Sequence, residues 1–172
     1  MRYQVISKTS LVDGPGVRCA LYVSGCTLRC KGCHNAEAWD FGCGKEFTTD
    51  EISEILNYLD HPYIRGFSLL GGEPFDQNQD LLIDLLSQIK SSFPDKDIWC
   101  WSGYEFDQIK DREIMNYIDV IVCGPFKLEL RDISDNNQWR GSTNQYVVDV
   151  KQSISKNKVI LLPGVKNNFI NN

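Results

Sequence analysis

Short apolar runs, each long enough for one buried strand and too short for a helix, alternate along this chain with longer stretches whose apolar residues recur three and four positions apart. That alternation admits few architectures. Strands separated by helices cannot pair as tight hairpins and lie side by side in a largely parallel sheet with the helices packed on it. The runs are Val17–Ser24 (VRCALYVS), residues 66–70, Asp97–Trp101, Val120–Cys123 and residues 146–150, with residues 158–162 (KVILL) as a sixth candidate. Between them the spacing predicts a helix over Thr49–Leu59, opened by a Thr-Thr-Asp-Glu cap and carrying Ile52, Ile55, Leu56 and Leu59 on one face. A second helix is expected over residues 80–93, where Leu81, Leu82, Leu85, Leu86 and Ile89 form a stripe stopped by Pro94, and a third over residues 105–117.

Composition bounds what such a sheet can serve. With 172 residues, 42% hydrophobic and 24% charged, the chain can bury one real core, so a single domain over residues 1–172 is expected. No low-complexity linker or composition break divides it, and the terminal KNNFINN reads as frayed. A formal net charge of -5 removes the basic footprint that phosphate-backbone binding needs, so nucleic acid is not an expected partner. Neither a signal peptide nor a membrane-spanning stretch is visible, which gives a cytoplasmic expectation with no membrane partner.

The cysteine count sharpens this. Seven is odd and high for a chain that is not a small secreted scaffold, so metal or redox chemistry is favoured over disulfides. Only His34 and His61 are available as histidines, which leaves little room for a His-rich zinc site or a Ser/His/Asp constellation. Directly after the first apolar run comes SGCTLRCKGCHN, whose Cys26, Cys30 and Cys33 place three thiolates on one loop. Three ligands without an obvious fourth leave a position open, as a site that does chemistry requires. The structural alternative is a closed zinc knot completed by His34 or Cys43.

A second chemical motif follows the second run, in GFSLLGGEP. Gly71 and Gly72 permit close backbone approach, and Glu73, ahead of Pro74, supplies a carboxylate that can accept from an amino group. Taken alone, GGEP is equally an ordinary turn at a strand end.

Taken together, the Cys-x-x-x-Cys-x-x-Cys loop and the GGEP turn resemble the radical S-adenosylmethionine (SAM) superfamily. Within it, DGPGVR (Asp13 to Arg18) and Cys33-His34-Asn35 are similar to the glycyl-radical-enzyme activases. KDIWCWSGY and QWRGSTNQ resemble the branch that serves anaerobic (class III) ribonucleotide reductase. The resemblance runs over about residues 3–150 and leaves 151–172 outside it. It implies an α/β fold, a shortened open (β/α) partial TIM barrel. It implies a [4Fe-4S] cluster held by Cys26, Cys30 and Cys33, and SAM on the open iron, with its methionine end at Gly71, Gly72, Glu73 and Pro74 and further contacts from Asn35 and Ser102. The implied reaction is reductive cleavage of SAM to a 5′-deoxyadenosyl radical that takes the Cα hydrogen of a glycine. The implied partners are the reductase catalytic subunit and a low-potential donor such as flavodoxin, with no catalytic side chain beyond cluster and SAM. Activation of another glycyl radical enzyme such as pyruvate formate-lyase is the related alternative, and a non-catalytic zinc module the unrelated one.

Two positions depart from the family pattern: Gly32 stands where an aromatic often precedes the third cysteine, and Cys123 where an Asp often precedes Gly-Pro-Phe. Cys19 and Cys100 read as core, Cys43 as a surface thiol, and the four tryptophans as core or interface residues. Asn35 has a second reading as a left-handed loop terminator, and Arg140 one as a partner of a surface carboxylate.

Overall fold

The structure, a computed structural model, describes residues 1–133 and 139–165. Gln138 of the QWRGSTNQ segment and the terminal KNNFINN lie outside the described residues. The chain opens with β1 (Arg2–Ser10), so the run Val17–Ser24 is β2, not the first strand. A two-residue β3 (Lys45–Glu46), α1 (Thr49–Leu59), β4 (Ile64–Gly71), α2 (Gln79–Ser92) and β5 (Asp97–Trp101) follow. Then come α3 (Phe106–Ile109), β6 (Val120–Cys123), β7 (Tyr146–Asp149) and α4 (Val150–Lys156).

The strands form one seven-stranded sheet in the order β3-β1-β2-β4-β5-β6-β7. The expected parallel core is present, since β2, β4, β5 and β6 pair parallel in that order. Its borders are antiparallel: β1 pairs with β2 and β3 on one side, and β7 with β6 on the other. The fold is therefore α/β with a mixed sheet.

The strands alternate between two buried faces, which is why they read as continuous apolar runs. Leu21, Leu69, Cys100 and Cys123 turn to the side packed with Ile52, Ile55, Leu59, Leu82, Leu85, Leu86 and Ile89 of α1 and α2. On the opposite side, Trp99 clusters with Val120, Val122 and Val147, and Trp139 packs edge-on to Trp99 at 4.9 Å. This second face also holds Arg18, which is fully buried. Its guanidinium donates to Ser68 Oγ (2.7 Å), Asp97 Oδ1 (2.6 Å) and the carbonyls of Phe67 and Pro15, and lies 5.6 Å from the Trp99 ring. Ser68 Oγ in turn donates to the Asp13 carbonyl (2.6 Å), so the DGPG turn is fastened over the sheet.

Three sequence expectations need correction. The helix over residues 105–117 is instead the short α3 and a 3-10 turn at Glu113–Asn116. Phe106 and Ile109 begin a stripe, but the next apolar residues are Ile114 and Met115, five positions on, out of phase with a 3.6 period. Residues 158–162 form no strand; they touch β7 through an isolated bridge at Leu161 before Pro163 stops further pairing. β1 escaped notice because the two-residue β3 covers its outer side only at Arg2 and Tyr3, and only Tyr3 and Ser10 of RYQVISKTS are buried.

The α1 cap is as expected: Thr48 accepts from the Asp50 amide and Glu51 reaches back to Thr48, completing a capping box. Thr48→Ala should cost about 1 kcal/mol. Asp97→Ala, which strands the buried Arg18 charge, should cost about 3 kcal/mol. Urea denaturation measures both, and equal losses would contradict the role assigned to the Arg18 network.

Candidate functional site

Because β2 and β4 are parallel neighbours with Val23 opposite Gly71, their C-terminal ends deliver two loops to one place. The Gly72 amide donates to the Val23 carbonyl (2.7 Å) and the Glu73 amide to the Gly25 carbonyl (2.8 Å), continuing the ladder past both strands. A side chain at Gly72 would put its Cβ 2.3 Å from the Gly25 carbonyl oxygen. The absent side chain at Gly72 thus serves the approach of one loop to the other. Asp76 Oδ2 accepts from the Thr27 amide and hydroxyl, both at 2.7 Å, and Gln77 Nε2 donates to the Gly25 carbonyl (2.9 Å), pinning the start of the cysteine loop.

Glu73 is 1% exposed. Its Oε1 accepts from Ser102 Oγ (2.8 Å) and the Phe75 amide (3.2 Å), and its Oε2 from the Gly103 amide (2.8 Å). No ion pair among the described residues includes it. Burial without a cation pushes its carboxyl up to about 7, against the opposing pull of these donors.

The carboxylate borders a cleft of about 170 Å³ whose wall includes Cys26, Cys30 and Cys33 together with Asn35, Gly71, Gly72 and Ser102. All three cysteines are free and half-buried. Burial raises the Cys26 and Cys30 thiols, against a smaller opposing pull from the backbone amides of Leu28 and Arg29 near Cys26 and of Phe126 near Cys30. Among the described residues, no three His, Cys, Asp or Glu side chains converge closely enough to grip a bare metal ion. Zinc needs sulfurs touching one centre at about 2.3 Å. A four-iron cluster takes each thiolate on a different iron and so suits three sulfurs spread around one cleft.

Other expected residues fall in distinct places. Asn35 reaches the cleft, but its amide donates to Gln4 Oε1 (2.8 Å), and its φ of -121° rules out the left-handed terminator; Arg29 and Gly32 take that conformation instead. Ser102 is held against Glu73 and orients it. Pro74 is buried behind the wall as the first residue of a 3-10 turn and is not part of the cleft lining. Arg140 is also buried and outside the lining, with Nη1 donating to the Gln145 carbonyl (3.2 Å). Cys19, Cys100 and Cys123 are core residues, and burial pushes all three thiols up. Cys43 is half-buried, 3.9 Å from Gln4 Nε2.

The sequence reading missed part of the wall. Trp39 lines the cleft, and its buried indole N–H has no hydrogen-bond partner among the described residues. Phe126, Gly141 and Gln145 form the far side. Trp39 carried a weak signal, lying six residues after Cys33; the others are brought in only by the tertiary fold.

Comparison with known proteins agrees with an iron–sulfur site. Residues 12–148 match the family described as the 4Fe-4S single cluster domain, and the chain belongs to that family. It is 40% identical over 146 residues to the anaerobic ribonucleoside-triphosphate reductase-activating protein of Enterobacteria phage T4, covering 84% of this chain and 92% of the phage protein. The proteins of the same name from Haemophilus influenzae and Escherichia coli K12 are 40% and 39% identical over 152 residues, covering 86% of this chain and 97% of each relative. At that identity and coverage, the chain is a member of the family of anaerobic ribonucleoside-triphosphate reductase-activating proteins.

The Glu73 environment gives a pH signature. Because its carboxyl rises on folding from 4.5 to about 7, the folded, ligand-free protein holds this proton more tightly than the unfolded chain. The associated stability is complete below about 4.5 and is lost as pH rises through about 7, a change on the order of 3 kcal/mol. Glu73→Gln should flatten that part of the stability profile in urea melts between pH 5 and 8. An unchanged slope would contradict the buried, cation-free carboxylate.

Proposed function

We propose that this chain activates an anaerobic ribonucleotide reductase by radical SAM chemistry, as one domain in the form of a shortened, open (β/α) barrel. The observation that carries this reading is the buried, cation-free Glu73 on the same cleft as three free cysteines. Cys26, Cys30 and Cys33 would hold the [4Fe-4S] cluster through one thiolate each. When bound, the reduced cluster supplies the electron that divides SAM into methionine and a 5′-deoxyadenosyl radical, which takes a Cα hydrogen from a glycine of the reductase.

The chain's own residues do the positioning. Glu73 accepts from the SAM amino group, which replaces the missing cation; Ser102 and the Gly103 amide hold the carboxylate in place. Gly71 and Gly72 keep that end of the site flush with the cysteine loop, and Asn35 closes the cleft beside it. Side chains supply neither acid nor base at the hydrogen transfer. The apolar walls of Trp39, Trp101 and Phe126 limit water and stray hydrogen donors around a reactive radical. The partner indicated by the relatives' names is the reductase. An external low-potential donor, such as a reduced flavodoxin of the cytoplasm, completes the electron balance.

Reduced, anaerobically reconstituted protein mixed with SAM and the class III reductase should give a glycyl radical doublet in electron paramagnetic resonance. A doublet on pyruvate formate-lyase alone would overturn the assignment of substrate. Cys26→Ala, Cys30→Ala and Cys33→Ala should each lose the four-iron cluster while Cys43→Ala and Cys123→Ala keep it; normal iron and cluster absorption in Cys30→Ala would contradict the ligand set.

A further inference from the structure

The loop that leaves β5 as Ser102-Gly103-Tyr104 holds Glu73 with its first two residues and reaches the cysteine loop with its third. Ser102 Oγ, which donates to Glu73 Oε1 (2.8 Å), also accepts from the Tyr104 amide (3.1 Å), so a tight turn joins the two tasks. The Tyr104 hydroxyl then donates to Asp76 Oδ1 (2.8 Å), on the 3-10 turn that follows Glu73. The other oxygen, Asp76 Oδ2, accepts from the amide and the hydroxyl of Thr27, the residue after Cys26, each at 2.7 Å. Thr27 Oγ1 and the Tyr104 hydroxyl approach to 3.4 Å and close the triangle.

Asp76 is therefore a joint between three loops. An apolar contact runs alongside it: a Cβ on Gly103 would lie 2.4 Å from Leu28 Cδ1, so Leu28 of the cysteine loop rests in the space that Gly103 leaves. Leu28, Glu73, Ser102 and Gly103 line the cleft, whereas Thr27, Asp76 and Tyr104 stand outside the lining. Asp76 is half-buried and enters no ion pair among the described residues, so its bonds to Thr27 and Tyr104 are what it contributes.

We infer that Asp76 and Tyr104 are positioning residues that set the gap between Cys26 and Glu73, so that one SAM molecule can meet the open iron and the Glu73 carboxylate together. This rests on the reading of the cysteines and Glu73 proposed above. Loading of the cluster depends on three thiolates of a single loop and tolerates a small shift of that loop as a whole. A ligand gripped at two points on different loops does not, because its second contact gains only when both points are in register. Loosening the joint thus separates SAM affinity from iron content.

The test is SAM binding to anaerobically reconstituted, reduced protein, followed by the SAM-dependent change in the electron paramagnetic resonance of the cluster, with iron measured on the same samples. Tyr104→Phe, which removes one hydroxyl, should weaken SAM about threefold, and Asp76→Ala about tenfold, both with wild-type iron. Asp76→Asn should stay within about twofold of wild type, since its amide oxygen can accept from Thr27 while its amino group donates to the Tyr104 hydroxyl. The Asp76→Ala/Tyr104→Phe double variant should bind no more weakly than Asp76→Ala, because Tyr104 acts through Asp76. Wild-type affinity in both single variants would overturn the inference, and so would Asp76→Asn as weak as Asp76→Ala, the mark of a charge effect. Iron lost in step with affinity would overturn it as well, reducing the joint to a structural tie. Loaded wild-type protein that shows no response to SAM would instead overturn the reading on which the inference rests.

Discussion

The parallel pairing of β2 with β4 is the constraint on which the rest depends. It puts Val23 opposite Gly71, so that the cysteine loop and the Glu73 turn leave the sheet side by side and in the same direction. Backbone pairing continues past the strands only because Gly72 lets the two loops close to a distance that any Cβ would prevent. Asp76 and Gln77 then fasten the cysteine loop from the Glu73 side, so the thiols and the buried carboxylate share one rigid wall. The energetic tension in the site follows directly: this wall excludes water from a carboxylate and gives it three neutral donors but no cation.

The sheet's two faces divide the labour. One is apolar and closed by α1 and α2, where burial of leucine and isoleucine supplies most of the driving force. The other carries the Arg18 network and the tryptophan cluster. A buried ion pair is a poor source of net stability, because desolvation consumes much of its attraction. Its value here is geometric, since Arg18 and Ser68 tie the DGPG turn to the sheet through several directed bonds. Tyr22 extends the same network, donating to Asp13 from a strand position that also borders the cleft.

Much of this was legible from residue order, for a physical reason. The central strands are buried on both faces, so their side chains read as unbroken apolar runs, and the loops that follow them carried the cysteines and Glu73 where parallel topology expects chemistry. What stayed hidden obeys no local pattern. β1 is a polar strand next to the sheet border, and α3 stops where its stripe slips phase at Ile114. Phe126, Gly141 and Gln145 reach the cleft because β7 returns antiparallel beside β6, a contact made across a long stretch of chain and invisible to periodicity.

The central claim is that Glu73 lacks a cation because a ligand amino group is its partner. The most direct measurement is the dissociation constant for SAM on cluster-loaded protein across pH 6 to 8, for wild type and Glu73→Gln. Wild-type affinity should strengthen as pH rises through about 7, where the carboxyl ionises, and Glu73→Gln should bind more weakly and lose that component of the pH dependence. Equal affinities with superimposable pH profiles would contradict the account.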